Sequence, residues 1–284
     1  MKNRTENARI LVEALPYIQK FDGKTIVIKY GGNAMLNENL KNSVMRDIVL
    51  LSIVGMRVVL VHGGGPEINS MLKKLGKKTT FVDGLRYTDK ETAEIVAMVL
   101  SGKVNKSLVS MIHSNKGKAI GLSGVDGGMI KARKKNKVDL GYVGNIVCID
   151  PEPINVSLDK GFIPIIAGIG VDDGGQVYNI NADNAAADIA AALNAEKLII
   201  LTDVRGVLKD KDDDETLISK ININDIPHLV ADGIISGGMI PKIESCVNGM
   251  NHGLKEAVII DGRIEHSILL ELFSDSGIGT LVQQ

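Results

Sequence analysis

The chain has 284 residues, 44% hydrophobic and 24% charged, a length and balance that suit a globular α/β protein of one large or two modest domains. Its 33 lysines and arginines nearly balance 34 aspartates and glutamates, and a net charge of -1 leaves no global field to draw it to nucleic acid or an anionic membrane. With 3% aromatic residues there are few stacking platforms for single strands, and Cys148 and Cys246 stand apart from each other and from any His at metal-ligand spacing, which argues against a disulfide framework or a zinc site. Residues 1–6 lack the apolar core of a signal peptide, and no uninterrupted apolar run reaches spanning length. A cytoplasmic protein with no membrane partner is therefore expected.

In chain order, Ile10, Leu11, Ala14, Leu15 and Ile18 trace one face of a leading helix over Ala8–Ile18, which either covers a core or serves as a handle for another subunit. Thr25–Tyr30 reads as a strand running into Gly31 and Gly32, with Lys29 near its end. A phosphate site would have this form, although a strand-end lysine is more often only exposed. Leu40–Val54 reads as a helix. Val58–Val61 is a buried strand followed by Gly63, Gly64 and Gly65, then Pro66 at the start of a helix to Leu75. Bare peptide N–H groups at a helix N-terminus suit an anion, and three successive glycines favour close approach of a ligand over a simple tight turn. Asp83–Thr88 is a polar connection with Arg86, a residue able to fork onto a carboxylate, in its middle. Asp89 caps a long helix to Ile112.

Lys118–Leu122 is a strand ending at the glycine-rich stretch Ser123–Gly128, Tyr142–Ile149 suggests a hairpin, and Ile163–Gly168 and Gln176–Ile180 are strands. Asn179–Asp183 opens an alanine-rich helix through Leu193, with Asp183 in its first turn. A composition shift falls near Asn194. Lys197–Thr202 is a strand leading to Gly206, and Lys209–Glu215 a solvated charged loop. Gly237 and Gly238 precede Lys242 and a helix from Ile243 to Met250, and Ala257–Asp261 and Gly279–Val282 are late strands. Strands alternating with helices indicate an open αβα sandwich around a mainly parallel central sheet, with ligands at the carboxyl ends of the strands.

Known nucleotide fingerprints fail. Ile68 occupies the place of the third glycine of a dinucleotide loop, Ile18 that of the first glycine of a Walker loop ending at Gly23-Lys24-Thr25, and Gly121–Val125 does not complete a nucleophile elbow. What remains is several glycine turns and two lysines, Lys29 and Lys242, sharing one sheet edge.

Lys29-Tyr30-Gly31-Gly32-Asn33-Ala34-Met35, His62-Gly63-Gly64-Gly65-Pro66, Gly84-Leu85-Arg86-Tyr87-Thr88, Asn179–Asp183, Leu201-Thr202-Asp203-Val204 and Gly237–Lys242 run in order over nearly the whole chain, and together they resemble the amino acid kinase family. The resemblance implies ATP-dependent phosphorylation, with Mg²⁺, of the γ-carboxylate of N-acetyl-L-glutamate to the acyl phosphate, the second step of arginine biosynthesis. Residues 1–195 would hold the acyl amino acid and the dimer contact, and 196–284 the ATP. Gly64, Gly65, Arg86 and Asn179 would receive the substrate. Lys29 and Lys242 would flank the migrating phosphoryl group, held by Asp183, and Gly31, Gly32, Asp203, Ser236, Gly237, Gly238 and Met239 would line the nucleotide site, with no protein side chain on the metal. The leading helix and the tail Leu269–Thr280 resemble those of arginine-inhibited hexamers, trimers of dimers, with Tyr17, Lys197, Glu271 and Gly277 as arginine contacts. Val258 stands where that subgroup carries His, and Tyr87 where Val is usual. Rival readings are a glutamate, aspartate, carbamate or UMP kinase of the same family, a non-catalytic amino-acid sensor on the same fold, or a dinucleotide-binding module.

Overall fold

The computed structural model describes residues 2–35, 37–82, 84–135 and 139–284. Among these the chain runs α1 (Lys2–Phe21), β1 (Thr25–Tyr30), α2 (Glu38–Ile53), β2 (Arg57–His62), α3 (Gly65–Lys74), β3 (Phe81–Val82) and β4 (Leu85–Arg86). Next come α4 (Lys90–Ala97), a π-helical stretch (Met98–Val104) and α5 (Asn105–Ser114), then β5 (Ala119–Ser123), β6 (Ile130–Lys134), β7 (Gly144–Ile149), α6 (Glu152–Asp159), β8 (Ile163–Ala167), β9 (Ile169–Val171) and β10 (Val177–Asn179). The last part holds α7 (Ala182–Ala192), β11 (Lys197–Thr202), β12 (Lys220–Asn222), α8 (Ile226–Ala231), α9 (Met239–Asn251), β13 (Glu256–Asp261), α10 (Ser267–Leu272) and β14 (Thr280–Gln283).

Eight of these strands form one sheet in the order β12-β14-β13-β11-β1-β2-β8-β5, parallel throughout except where β14 meets β13. Successive strand residues face opposite sides, so each strand feeds two cores. Ile26, Ile28, Leu60 and Ile165 pack with Met45 and Ile48 of α2 and Leu108 and Ile112 of α5. Val27, Val59, Val61 and Ile166 pack with the alanines of α7 and with Ile243, Cys246 and Met250 of α9. Burial on both faces explains why these strands read as continuous apolar runs. The expected αβα sandwich is what forms.

Several elements differ from expectation. The strand at Tyr142–Ile149 is half of an antiparallel pair whose partner, β6, lies upstream, and the pair belongs to a second sheet, β10-β9-β6-β7. The polar connection around Arg86 is a two-stranded ribbon, β3 and β4, and its Asp83 lies outside the described residues. The last long helix begins at Met239 rather than Ile243, which moves Lys242 into its first turn. The helical run from Lys90 to Ser114 has 25 residues and contains an 18-residue window of mean hydropathy 1.4, enough by length and composition to cross a membrane. Its apolar stripe, Ile95, Val96, Val99, Leu100, Val104, Leu108 and Ile112, is buried in the core. By contrast α1 leaves Ile10, Leu11, Val12 and Leu15 exposed at 56%, 72%, 68% and 48%.

Candidate active site

Lys29 is the penultimate residue of the buried run of β1 and Asp183 sits in the first turn of α7. The helix starts there because the Asn181 side chain accepts from the N–H groups of Asp183 (2.9 Å) and Asn184 (3.2 Å). That cap places a carboxylate at the positive end of the helix dipole and beneath two cations. Lys29 Nζ lies 2.8 Å from Asp183 Oδ1, and Lys242 Nζ lies 3.0 Å from Oδ2. Burial alone would raise the Asp183 carboxyl, but the two ammonium charges outweigh it and hold it at about 2. Two cations against one anion leave a local surplus of positive charge in a buried setting.

Two glycine turns enclose this group. A β-carbon at Gly31 would stand 3.4 Å from Lys29 Nζ and 3.5 Å from the Gly63 nitrogen, so the turns after β1 and β2 meet beside the ammonium. Gly63 N donates to Tyr30 O at 3.0 Å. Gly64 is the cap residue of α3, whose first-turn N–H groups have no intrahelical partner, and Pro66 occupies that first turn. A β-carbon at Gly64 would come within 2.7 Å of Leu100 Cδ2, which excludes any other residue without repacking the π-helical stretch.

Arg86, 7% exposed, donates from Nη2 to Asn69 Oδ1 at 2.7 Å, approaches Gly65 O at 3.5 Å and stacks 4.8 Å from the Phe81 ring centroid. Its Nη1 is buried with no partner among the described residues, a donor that a ligand carboxylate would satisfy. Burial lowers its pKa, from a value so high that the guanidinium stays charged. Asn179 reaches the same ribbon through Thr88: its Nδ2 donates to Thr88 Oγ1 at 3.3 Å, and that hydroxyl donates to Arg86 O at 2.8 Å. Asn69 and Thr88 were not among the expected site residues. Thr88 closes the Gly84–Thr88 block, whereas Asn69 carries no signal beyond helical spacing after the glycines.

On the far side of Lys242 a cavity of about 290 Å³ is lined by Asp203, Val204, Gly206, Val207, Ser236, Gly238, Met239 and Lys242, among others. The Ser236 hydroxyl is buried there without a partner among the described residues. Gly237, at φ 56°, turns the chain between two lining residues. Neither Gly31, which lies instead beside Lys29, nor Gly32 lines this cavity. Lys242 thus borders the cavity and touches Asp183.

Residues 24–261 match the amino acid kinase family. The chain belongs to that family. It is similar to the acetylglutamate kinase of Clostridium kluyveri, 58% identical over 281 residues that cover 99% of each chain. The acetylglutamate kinase of Heliobacterium modesticaldum is 53% identical, again over 99% of each. A solved N-acetylglutamate synthase from Neisseria gonorrhoeae, complexed with coenzyme A and N-acetyl-glutamate, superposes with a TM-score of 0.84 at 28% identity over 98% of this chain, which spans 63% of that longer protein. The chain is accordingly an enzyme, a phosphotransferase with a carboxyl group as acceptor.

This kinase carries a second convergence at its tail. Lys197 Nζ lies 3.4 Å from Glu271 Oε1 and 3.4 Å from Glu256 Oε2. Glu271 Oε2 accepts the Ile278 N–H at 2.9 Å, and a β-carbon at Gly277, already at φ 65°, would stand 2.5 Å from it. Tyr17 ties α1 to the same segment, its hydroxyl donating to Asp275 Oδ1 at 2.5 Å and its ring 6.5 Å from that of Phe273. Lys197, Glu271 and Gly277 therefore meet, and Tyr17 contacts the same tail through Asp275 and Phe273. Val258 is buried in β13.

Proposed function

We propose that this kinase transfers the γ-phosphoryl group of ATP to the γ-carboxylate of N-acetyl-L-glutamate, giving N-acetyl-L-glutamyl 5-phosphate, the second step of arginine biosynthesis. The observation that carries this reading is Asp183, with Lys29 from one part of the chain on one oxygen and Lys242 from the other part on its second oxygen. Residues 1–195 hold the acyl amino acid and the dimer contact, and 196–284 the nucleotide.

A γ-carboxylate is ionised at neutral pH, so the attacking group needs no general base. The barrier is the crowding of negative charge, and the residues at the sheet edge address it directly. Lys29 and Lys242 flank the migrating group, while Asp183 keeps the two ammonium groups in register and offsets their mutual repulsion. Gly64 and Gly65 offer peptide N–H donors to the acceptor end, and Arg86 and Asn179 take the α-carboxylate. The orphan Nη1 of Arg86 favours an acceptor with a second carboxylate over carbamate or UMP. The nucleotide occupies the cavity lined by Asp203, Gly238 and Met239, where Ser236 has a hydroxyl to give; Gly237 shapes its wall, and Gly31 and Gly32 reach the phosphates beside Lys29. Mg²⁺, arriving with ATP, supplies further positive charge to the phosphate oxygens.

Arginine is read as a feedback inhibitor at Tyr17, Lys197, Glu271 and Gly277, and α1, with its exposed apolar face, as the element that joins dimers into a cytoplasmic hexamer. The test is ATP consumption against N-acetyl-L-glutamate, glutamate, aspartate, carbamate and UMP, each with and without arginine. Turnover is expected with the acetylated acceptor far above the rest. A preference for carbamate or UMP overturns the reading.

A further inference from the structure

A buried histidine immediately before the glycine run takes no part in the chemistry above. His62 ends β2 and is fully buried, its Nδ1 2.9 Å from the Gly63 carbonyl oxygen and its Nε2 3.1 Å from Nδ2 of Asn105. Asn105, equally buried at the start of α5, can face only one way. Its Nδ2 lies 2.8 Å from Ile165 O and 3.2 Å from Leu122 O, which only accept, and its Oδ1 receives Lys106 Nζ at 3.1 Å. The Gly63 carbonyl only accepts, so Nδ1 of His62 carries the ring proton and donates it, which leaves Nε2 facing Asn105 Nδ2 as an acceptor that shares the two amide hydrogens with the two carbonyls. Burial lowers the imidazole to about 4, and the ring is neutral at physiological pH.

Space for this pair is cleared by glycine. A β-carbon at Gly121 would stand 1.9 Å from Asn105 Oδ1, and one at Gly64 would stand 2.7 Å from Leu100 Cδ2 and 3.1 Å from Val104 Cγ2. The π-helical stretch that ends at Val104 therefore presses on Gly64 and delivers Asn105 beneath His62. In a trans peptide the carbonyl of one residue and the N–H of the next point to opposite sides. Holding the Gly63 carbonyl from the buried side turns the Gly64 N–H outward.

We propose that His62, steadied by Asn105, is a positioning residue that sets the Gly63–Gly64 peptide plane and aims the Gly64 N–H at the anionic oxygens of the reacting groups. This rests on the carboxylate-kinase reading above. His62→Phe keeps a planar ring, a somewhat larger one, and removes both polar contacts, whereas His62→Asn is smaller and returns a donor at the δ position. With N-acetyl-L-glutamate and MgATP, His62→Phe is expected to lower kcat by about tenfold to a hundredfold at unchanged KM for ATP, and His62→Asn to recover most of that loss. Unchanged kcat in His62→Phe overturns the proposal, as does a loss that His62→Asn leaves in place. Nitrogen-15 spectra of the unmodified protein supply an arm that needs no variant to fold: the proton is expected on Nδ1, with no titration from about pH 8 to about pH 6. A proton on Nε2, or a ring that titrates there, overturns the proposal. Absence of turnover in the unmodified enzyme with every acceptor brings down the kinase reading instead, and the tautomer then decides this inference by itself.

Discussion

Asp183 and Glu271 are both buried carboxylates bound to lysine, yet their surroundings carry opposite signs. At Asp183 two ammonium groups meet one carboxylate, at 2.8 Å and 3.0 Å, and the surplus is positive. At Lys197 one ammonium meets two carboxylates, Glu271 and Glu256, each at 3.4 Å, and the surplus is negative. The first arrangement suits an incoming anion and the second a guanidinium. The two also differ in strength. Lys29 and Asp183 are shielded from solvent and salt, whereas the Glu256 side chain is 42% exposed and its contribution is screened.

The largest expected effect breaks the positive side of this contrast. Lys29→Ala or Lys242→Ala should lower kcat by about a hundredfold to ten-thousandfold, with KM for N-acetyl-L-glutamate changed far less, because the lost charge acts on the transition state. Steady-state kinetics with either variant at wild-type turnover would refute the assignment. Under the proposed function Arg86→Gln is expected to act on binding rather than on transfer, raising KM for the acyl amino acid by about tenfold to a hundredfold at nearly constant kcat. A change confined to KM for ATP would place Arg86 elsewhere.

Altering the negative region should leave uninhibited turnover intact. Glu271→Gln is expected to shift arginine inhibition to concentrations about tenfold higher or more, and removal of residues up to Gln19 to leave dimers in light scattering. Identical arginine titrations for variant and parent would sink the effector reading.

The smallest effects are on stability. Asp183 is depressed in the fold to about 2 from an ordinary 3.8, so its contribution is present above 3.8 and lost as pH falls towards 2, roughly 2 kcal/mol in all. Asp47 runs the other way. Burial pushes it up to about 6 although His266 Nδ1 lies 2.5 Å away, so its contribution is present below 3.8 and is lost as pH rises through 6. Urea titrations across pH should show Asp47→Asn flattening the slope between those values. An unchanged slope would assign it to other groups.

The continuous apolar strands, the helical stripes and the glycine turns were legible in the sequence because each depends on near neighbours: period-two or 3.6 patterning, a cap, an anion-ready helix start. Asn181 as the cap of α7 and the glycines after β1 and β2 belong to that class. The hairpin partner of β7, the second sheet, the ribbon that carries Arg86 and the first turn of α9 were not legible, since pairing across a sheet has no local signature and α9 starts without a side-chain cap.

Residue order alone determined the αβα class, the family and the two lysines on one edge, all of which follow from short-range chemistry repeated along the chain. The tertiary structure supplied the distances from Asp183 to those lysines, a contact the family resemblance had implied, and it alone decided that Asn69, Thr88 and Phe81 brace Arg86, that Lys197 serves two carboxylates, and that His62 faces Asn105. These are contacts between residues far apart in sequence, and burial, which sets their strength and the pKa of Asp183, exists only once the layers have closed.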